Sequence, residues 1–378
     1  MPTTLFDVKE RISLEPDNYN SNAYDYYNDS ARVEIGTVRD ELEKWFAQYP
    51  EDWKQDLKQS FKAAFSHAFY ELYIHQLFTR LGYQLEVHPD MPDKQTHPDF
   101  LAIRNSEKLY IEVRHLDLRS DKEKGLENSI NTFYDSINDN VDPTNFFIYL
   151  RKIVFKSGSQ PSGKAAARAI NQHLAQLNPD HLLGLLKDHG FDAVKSETYE
   201  DDRLLLEYAP IPKSVEGRGV KTRPIGMILG EPVFGDDSDR IETALERKSS
   251  RYGQLAAPFI ICLNKQTPGL DKLEFQKALW GNIVASWSEN PNNRDHRTNF
   301  DFTGFFGSTS NPAHTRVSAV YFTNANSANL GSTAEHMIRQ HHRAQYPISQ
   351  TLSDELNQKS IAEIFGIQRE YPFNKKMN

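Results

Sequence analysis

The amino-acid sequence predicts an α/β fold with a mixed central sheet, and three observations lead to this prediction. A helical pattern runs from Glu51 to Arg80 and stops at Gly82. The hydrophobic pattern then changes to period two over short segments, as in strands. Beyond residue 125, helical segments alternate with apolar strand segments, the order expected when helices pack on a sheet.

The composition is that of a globular protein with room for one large domain or two modest ones: 378 residues, 25% charged and 38% hydrophobic. We expect no membrane span and no signal peptide, because no apolar run approaches the ~20 residues that a span needs. The single cysteine, Cys262, favours a reducing, cytoplasmic compartment. The net charge of -8 argues against a generally basic coat but allows a local basic groove.

Residues 1–55 are predicted to form an arm and a helical cap. The first 35 residues are rich in Asp, Asn and Tyr, which is typical of a loosely ordered arm. Glu34–Phe46 has helical spacing and ends before Tyr49-Pro50, where the residue preceding proline disfavours a helix.

The strongest helix signal runs from Glu51 to Arg80, and the helix predicted from it, 56–81, carries Glu71. At ~100° per residue, Glu71 lies only ~50° from the centre of an apolar stripe, so we expect it to face the core. The stripe consists of Leu57, Phe61, Ala64, Ala68, Leu72 and Phe78. A buried carboxylate is costly unless it is compensated. A basic partner, or an edge position on the helix, would explain Glu71 without a functional role.

His67, Glu71 and His75 follow one another at intervals of four residues along the same helix. Such spacing could hold a transition metal on one helix face. The spacings of zinc-protease and di-iron helices, His-Glu-x-x-His and Glu-x-x-His, are both missing. The sequence therefore favours core or surface histidines.

Three short strands follow, over 83–87, 99–104 and 108–114, and the last two form a predicted hairpin. If Asn105 and Ser106 are its two central turn residues, Asp99 falls directly opposite Glu112. Opposed side chains point to the same face with Cβ atoms ~5 Å apart, and like charges there destabilise a sheet. Two carboxylates in this register need a cation between them.

Pro98-Asp99 and Glu112-Val113-Arg114, after a helix carrying Glu71, resemble the PD-(D/E)XK (restriction-endonuclease-like) nuclease superfamily. Its αβββαβ core is similar to residues 56–156, where helix 125–140 and strand 146–155 complete the order. The chain also resembles a branch of bacterial proteins with a Phe-x-Glu-Leu-Tyr helix before Pro-Asp-Phe. The resemblance implies that Glu71, Asp99 and Glu112 bind Mg²⁺, with Mn²⁺ as a possible substitute, for phosphodiester hydrolysis.

The motif departs from the superfamily at Arg114, where a lysine is expected. Arginine can stabilise negative charge but cannot act as a base, because it does not deprotonate in proteins. Lys248, on a predicted helix 238–252 with Tyr252 one turn later, is our candidate replacement. The similar bacterial proteins carry a Lys-x-x-x-Tyr-Gly helix, although a solvated helix face would also explain these charges. The predicted catalytic residues are Asp99, Glu112, Arg114 and Lys248.

The segment from Pro143 to Pro179 contains no acidic residue, which suits contacts with phosphates. A chance run of charge is the alternative. The predicted nucleic-acid contacts are Arg151, Lys152, Lys156, Lys164, Arg168 and, from the later helix, Tyr252. Gly158–Lys164 resembles a phosphate loop, but Ala165 replaces the required Ser or Thr, which disfavours an NTPase.

The rest of the chain is divided by composition. Residues 157–235 form a predicted basic insertion that includes a short helix, 179–187, a strand-like 203–208 and a loop with Lys213, Arg218, Lys221 and Arg223. Residues 236–330 form a second α/β stretch that extends or packs on the sheet, with strands 258–263 and 315–322 and helix 271–280. Residues 331–378 are predicted to be a C-terminal tail.

The sequence therefore predicts a metal-dependent endonuclease, with DNA favoured over RNA as its substrate. Roles in restriction, phage defence or repair, with a homodimer or a partner protein, follow by analogy alone. The leading alternative is a nucleic-acid-binding or scaffolding protein that keeps the nuclease fold without catalysis.

Overall fold

We analysed a computed structural model of the chain, which describes residues 3–91, 96–117, 119–156, 160–220, 222–228, 236–253, 255–267, 269–287, 296–330 and 332–367. The α-helices in these residues are α1 (Ala23–Asp29), α2 (Val33–Ala47), α3 (Glu51–Ala63), α4 (Phe65–Arg80), α5 (Asp121–Asn140), α6 (Gly163–Leu174), α7 (Pro179–His189), α8 (Ser238–Ser249), α9 (Lys272–Trp280), α10 (Gln350–Gln358) and α11 (Ile361–Phe365). The strands are β1 (Gln84–Val87), β2 (Phe100–Arg104), β3 (Glu107–His115), β4 (Phe146–Phe155), β5 (Glu197–Glu200), β6 (Leu204–Pro212), β7 (Ile225–Ile228), β8 (Phe259–Asn264), β9 (Ile283–Trp287), β10 (His296–Phe300), β11 (Ala319–Thr323) and β12 (His336–Gln340).

The central sheet has six strands in the order β1-β2-β3-β8-β11-β12. The strands β1, β2 and β3 are antiparallel neighbours, β3, β8 and β11 run parallel, and β12 is antiparallel to β11. The predicted α/β fold with a mixed central sheet is therefore confirmed.

The chain divides into two compact units. The first contains Met1–Ser13, Ala23–Leu118 and Gly235–Asn378, and it holds the six-stranded sheet. The second contains Leu14–Asn22 and Arg119–Phe234. A four-stranded sheet in the order β5-β6-β4-β7 and the helices α5, α6 and α7 lie in the second unit.

The helix and strand that follow the hairpin in sequence do not continue its sheet, which corrects the predicted core over 56–156. The strand β4 pairs with β6 and β7, and its Phe146 and Ile148 pack with Phe133 of α5 in a core of the second unit. In the first unit, β3 pairs instead with β8, which follows α8. A local pattern identifies a strand but not the sheet that it joins. Because β4 follows the hairpin in sequence, it was predicted to join the central sheet, and this prediction is wrong.

The two faces of the central sheet carry separate apolar cores. Ile111 and Val113 of β3 belong to a core with the side chains of α4, together with the buried thiol of Cys262. Neighbouring positions on the other face pack against α8 and α9, and Tyr110 borders that core. Side chains alternate between the faces of a strand, so Glu112 shares a face with Tyr110 and points toward α8.

The long predicted helix is two helices, because the backbone leaves the helical region at Ala64, with φ -152° and ψ 72°. After this break, α4 is buried on almost all sides between Ala68 and Phe78, and Glu71 is less buried than its neighbours. A stripe counted through Ala64 therefore does not describe one face of one helix.

Two terminal regions are more ordered than their composition predicts. Leu5 and Phe6 of the predicted arm are buried, and α1 follows them. In the predicted tail, β12 joins the central sheet, while α10 and α11 bury Leu352, Leu356 and Phe365. The last predicted tail residues, 368–378, lie outside the described residues.

Candidate active site

The β2–β3 hairpin has the predicted register. Arg104 pairs with Glu107 and Phe100 with Ile111, so the next step outward sets Asp99 against Glu112. Asn105 has a φ of 56°, a left-handed conformation that asparagine tolerates well. The two-residue turn therefore gives the predicted register between Arg104 and Phe100, one residue short of Asp99.

Asp99 lies at the end of this ladder and is held by backbone contacts. Its carbonyl accepts a hydrogen bond from the His88 N–H (2.9 Å), and its Oδ2 accepts one from the Val113 N–H (2.6 Å). Because Val113 directly follows Glu112, the two carboxylates are anchored to the same short piece of β3.

Glu112 is buried, with 1% of its surface exposed, and two side chains from the α8 region donate to it. The Lys248 ammonium contacts Oε1 and the Tyr252 hydroxyl contacts Oε2. A guanidinium nitrogen of Arg251 lies 3.8 Å from Oε1. The structure thus brings Lys248, which stands 136 positions after Glu112 in the chain, into contact with a carboxylate of the predicted site.

Tyr252 is buried at 1% exposure, and its burial together with the Glu112 charge raises its pKa well above the ordinary value. A hydroxyl with a raised pKa stays protonated and remains a hydrogen-bond donor. The sequence predicts Tyr252 as a nucleic-acid contact, but a buried ring bound to Glu112 is not available to stack on a base. This assignment is corrected.

Glu71 is held by a tyrosine rather than by a basic residue. The Tyr49 hydroxyl donates to Oε1 at 2.7 Å. No Lys or Arg forms an ion pair with Glu71 in the described part of the chain. Burial raises the pKa of Glu71, and the hydrogen bond from Tyr49 offsets only part of this increase. Sequence reasoning used Tyr49 only to end a helix and missed its contact with Glu71.

Asp99 carries the strongest electrostatic conflict of the site. Burial raises its pKa well above the ordinary value, and the negative charges of Glu112 and Glu71 raise it further. The Val113 N–H and the Lys248 charge act in the opposite direction and offset part of the effect. The charges of Glu112 and Glu71 therefore repel a charge on Asp99, and a cation between the three carboxylates would relieve this repulsion.

The oxygen atoms of this site match the chemistry of a divalent cation in part. Mg²⁺ binds to carboxylate oxygens. In the described residues, no hydrogen bond reaches Oδ1 of Asp99 or Oε2 of Glu71, which leaves both oxygens open to a ligand. Both oxygens of Glu112 are engaged by Lys248 and Tyr252. The described residues contain no group of three or more His, Cys, Asp or Glu already arranged around one point.

Cationic groups gather near the end of β3. Arg114 is exposed on the same face as Glu112, and it makes no hydrogen bond or ion pair within the described residues. Burial lowers the pKa of His67, and the charges of Arg114, His115 and Lys248 lower it further. The motif arginine is therefore free to meet an anion in solution.

His75 is a core histidine, as the missing metal spacings favoured. It is buried at 4% exposure, and its ring packs against Tyr49 and Phe100. Burial lowers its pKa to about 4, so it is neutral at physiological pH.

The predicted phosphate-contacting residues all belong to the second unit except Tyr252. Lys156 pairs with Glu200 at 2.6 Å, and Lys152 stands opposite Glu207 across the β4–β6 ladder. The Arg151 guanidinium lies over the Tyr149 ring. Lys164 and Arg168 are exposed on α6. Acidic residues from later in the chain thus offset part of the positive charge of this segment.

The segment that resembles a phosphate loop is only partly described, because Gly158 and Ser159 lie outside the described residues. At the start of α6 the Ser162 side chain accepts a hydrogen bond from the Ala165 N–H (3.2 Å) and so caps the helix itself. Nothing in this geometry favours an NTPase.

The basic loop after β6 is also compensated internally. Arg218 pairs with Asp180 at 2.8 Å, and buried Lys213 donates to the Thr222 hydroxyl at 2.7 Å. The Arg223 guanidinium lies over the Tyr19 ring, and Lys221 is outside the described residues.

Comparisons of the chain with protein-family models, with curated proteins and with solved structures gave no match. Within the described residues, no helix combines the length and apolar character needed to cross a membrane. Any functional assignment therefore depends on the geometry around Glu112.

Proposed function

We propose that the protein is a metal-dependent nuclease of the PD-(D/E)XK kind that hydrolyses phosphodiester bonds, with DNA favoured as substrate. The observation that carries the proposal is the contact of Lys248 with Glu112, set beside Asp99 by the hairpin register. This arrangement places a lysine next to the motif glutamate although Arg114 occupies the usual lysine position. Roles in restriction, phage defence or repair remain analogies.

Glu71, Asp99 and Glu112 would hold Mg²⁺, or Mn²⁺ in its place, through carboxylate oxygens. When bound, the cation lowers the pKa of a water and stabilises charge on the phosphate oxygens. The raised pKa of Asp99 supports this assignment, because its causes include repulsion from the other two carboxylates.

The two basic side chains have different tasks in this proposal. Lys248 lies against Glu112 and supplies positive charge where negative charge increases during the reaction. Its ammonium can also give up a proton, and the amine that results can take one back, whereas the Arg114 guanidinium does not deprotonate. Exposed Arg114 is suited to bind a phosphate oxygen pair and orient the substrate.

A nucleic-acid-binding protein without catalysis is the second candidate, and one observation favours it. Lys248 and Tyr252 occupy both oxygens of Glu112, as in a purely structural ion pair. Such a protein would bind nucleic acid through exposed cations such as Arg114 without using its carboxylates.

The proposal is tested by incubating purified protein with supercoiled plasmid DNA and with RNA in Mg²⁺ or Mn²⁺. Asp99→Ala and Glu112→Ala are each expected to lower the cleavage rate by at least ~100-fold, and EDTA should abolish it. Glu86→Ala is the matched control, because Glu86 is an exposed carboxylate on β1 of the same sheet. Binding without cleavage, unaffected by the carboxylate variants, would establish the second candidate instead.

A further inference from the structure

A guanidinium from a distant part of the chain holds the end of α8. The Nη2 of Arg316 donates to the carbonyl oxygen of Ser249 at 2.8 Å and to that of Tyr252 at 2.7 Å. The last carbonyls of a helix have no partner within the helix, and a cation placed there also opposes the helix dipole. Arg316 therefore bridges the last residue of α8 and the bend that follows it.

His314 supports the same turn from the same loop. Its Nδ1 lies 3.1 Å from the Ser249 hydroxyl, and its ring stacks on Phe305 with 4.2 Å between centroids and 9° between planes. The loop that precedes β11 thus contacts the end of α8 through two side chains, one fixed by an aromatic stack.

The residues held in this way are neighbours of the two donors to Glu112. Lys248 directly precedes Ser249, and Tyr252 lies three residues after α8 ends, in a bend where the Arg251 N–H donates to the Lys248 carbonyl at 3.4 Å. The earlier turns of α8 are anchored by Ile241 and Leu245, which are fully buried. Loss of Arg316 would therefore release the last turn and the bend while the rest of the helix stays in place.

We propose that Arg316 is a positioning residue for the reaction, because it sets the separation at which Lys248 and Tyr252 meet Glu112. The catalytic consequence rests on the proposed nuclease function, whereas the positioning itself does not. Misplacement of a catalytic group by about 1 Å can slow a reaction by as much as ~100-fold.

The test compares Arg316→Met and Arg316→Lys with Arg80→Met in the full chain. Arg80 is a matched control, because it donates to the Phe365 carbonyl at 2.7 Å and so also ties down a helix end, that of α11. Side-chain NMR signals of Lys248 and Tyr252, assigned with Lys248→Arg and Tyr252→Phe, report the positioning without any need for cleavage. Thermal unfolding reports general stability.

In Arg316→Met we expect both NMR signals to move, kcat to fall by at least ~10-fold and KM to stay within about 2-fold. Arg316→Lys should recover part of kcat, because an ammonium can still donate to the two carbonyls. Arg80→Met should lower the unfolding temperature and leave kcat and both signals unchanged.

Unmoved Lys248 and Tyr252 signals in Arg316→Met would overturn the inference, and so would an equal loss of kcat in Arg80→Met. If Arg316→Met does not fold, Arg316→Lys decides: it should still move both signals, because an ammonium does not reproduce the guanidinium geometry, and unmoved signals would overturn the inference. If the wild type does not cleave nucleic acid, the proposed function fails, but moved signals would still establish the positioning role.

Discussion

Two buried glutamates in the first unit, Glu112 and Glu274, are each paired with a lysine, and their surroundings differ. Glu274 on α9 contacts Lys265 at 2.6 Å and accepts the Asp237 N–H at 2.8 Å, while the same lysine reaches the Asp237 carboxylate at 2.9 Å. The pKa of Lys265 is raised, because these two carboxylates outweigh the opposing effect of burial. This network compensates its own charges.

Around Glu112, the negative charges of the carboxylates are not fully compensated by positive ones. Lys248 contacts Glu112, yet Asp99 beside it has a raised pKa from burial and from two nearby carboxylates. Shifted pKa values of this kind concentrate at functional sites, although structural networks also produce them. A buried Lys–Glu pair therefore indicates a functional site only when other charges around it, such as Asp99 beside Glu112, are left uncompensated.

The largest contrast is expected from making the same substitution in the two glutamates. Glu112→Gln should lower the cleavage rate by about 1,000-fold, equivalent to ~4 kcal/mol in the activation barrier, because it removes a carboxylate from the site. Glu274→Gln should instead lower the free energy of unfolding by about 1–2 kcal/mol, because it leaves the partly buried Lys265 less compensated. Plasmid cleavage and urea unfolding measure the two effects, and equal loss of activity in both variants would remove the distinction.

The two lysines provide the next test. Lys248→Met should reduce kcat by about 100-fold, since it removes positive charge from the reacting phosphate. Lys265→Met should affect stability and not kcat, because Lys265 joins Glu274 and Asp237. Lys248→Arg keeps the positive charge but cannot transfer a proton. Activity in Lys248→Arg close to that of the wild type would show that the charge alone suffices. A Lys248→Met enzyme with full activity would contradict the assigned role.

The smallest effect concerns pH and stability. A carboxyl group whose pKa is higher in the folded than in the unfolded chain binds more protons when folded. The free energy of unfolding therefore falls as the pH rises above the pKa that the group has in the unfolded chain. For Asp99 this loss of stability begins above pH 3.8, the ordinary pKa of the group, and is complete once the pH exceeds the raised pKa. Asp99→Asn should therefore unfold at a higher temperature than wild type at pH 7, and the gain should vanish below pH 3.8.

Glu274→Gln is the contrasting variant for this measurement, because Glu274 is paired with Lys265. It should be less stable than wild type at pH 7. An Asp99→Asn protein that is destabilised at pH 7 would show that Asp99 acts through its backbone contact with Val113 and not through repulsion.

The hairpin register and the closeness of Lys248 to Tyr252 were predictable because they depend on short-range rules. A two-residue turn fixes the register between Asp99 and Glu112, and the spacing of Lys248 and Tyr252 puts both near one helix end. Neither inference required knowledge of which strands are neighbours. The resemblance to a known nuclease motif supplied the choice of Lys248 among many lysines.

The rest depends on contacts that local patterns do not encode. The strand β4 reads as a strand in either sheet, and only its pairing with β6 decides which one it joins. The hydroxyl of Tyr49, which lies between α2 and α3, donates to Glu71 on α4. Lys156 forms an ion pair with Glu200, which lies 44 positions later in the chain. A run of one charge sign in the sequence was therefore a poor guide to charge in space.

Calorimetric titration with Mn²⁺ measures directly whether Glu71, Asp99 and Glu112 form one cation site. We expect saturable binding in the wild type and in Glu274→Gln, and its loss in Asp99→Asn and Glu112→Gln. Absence of saturable binding in the wild type, or binding that survives Asp99→Asn unchanged, would contradict the account.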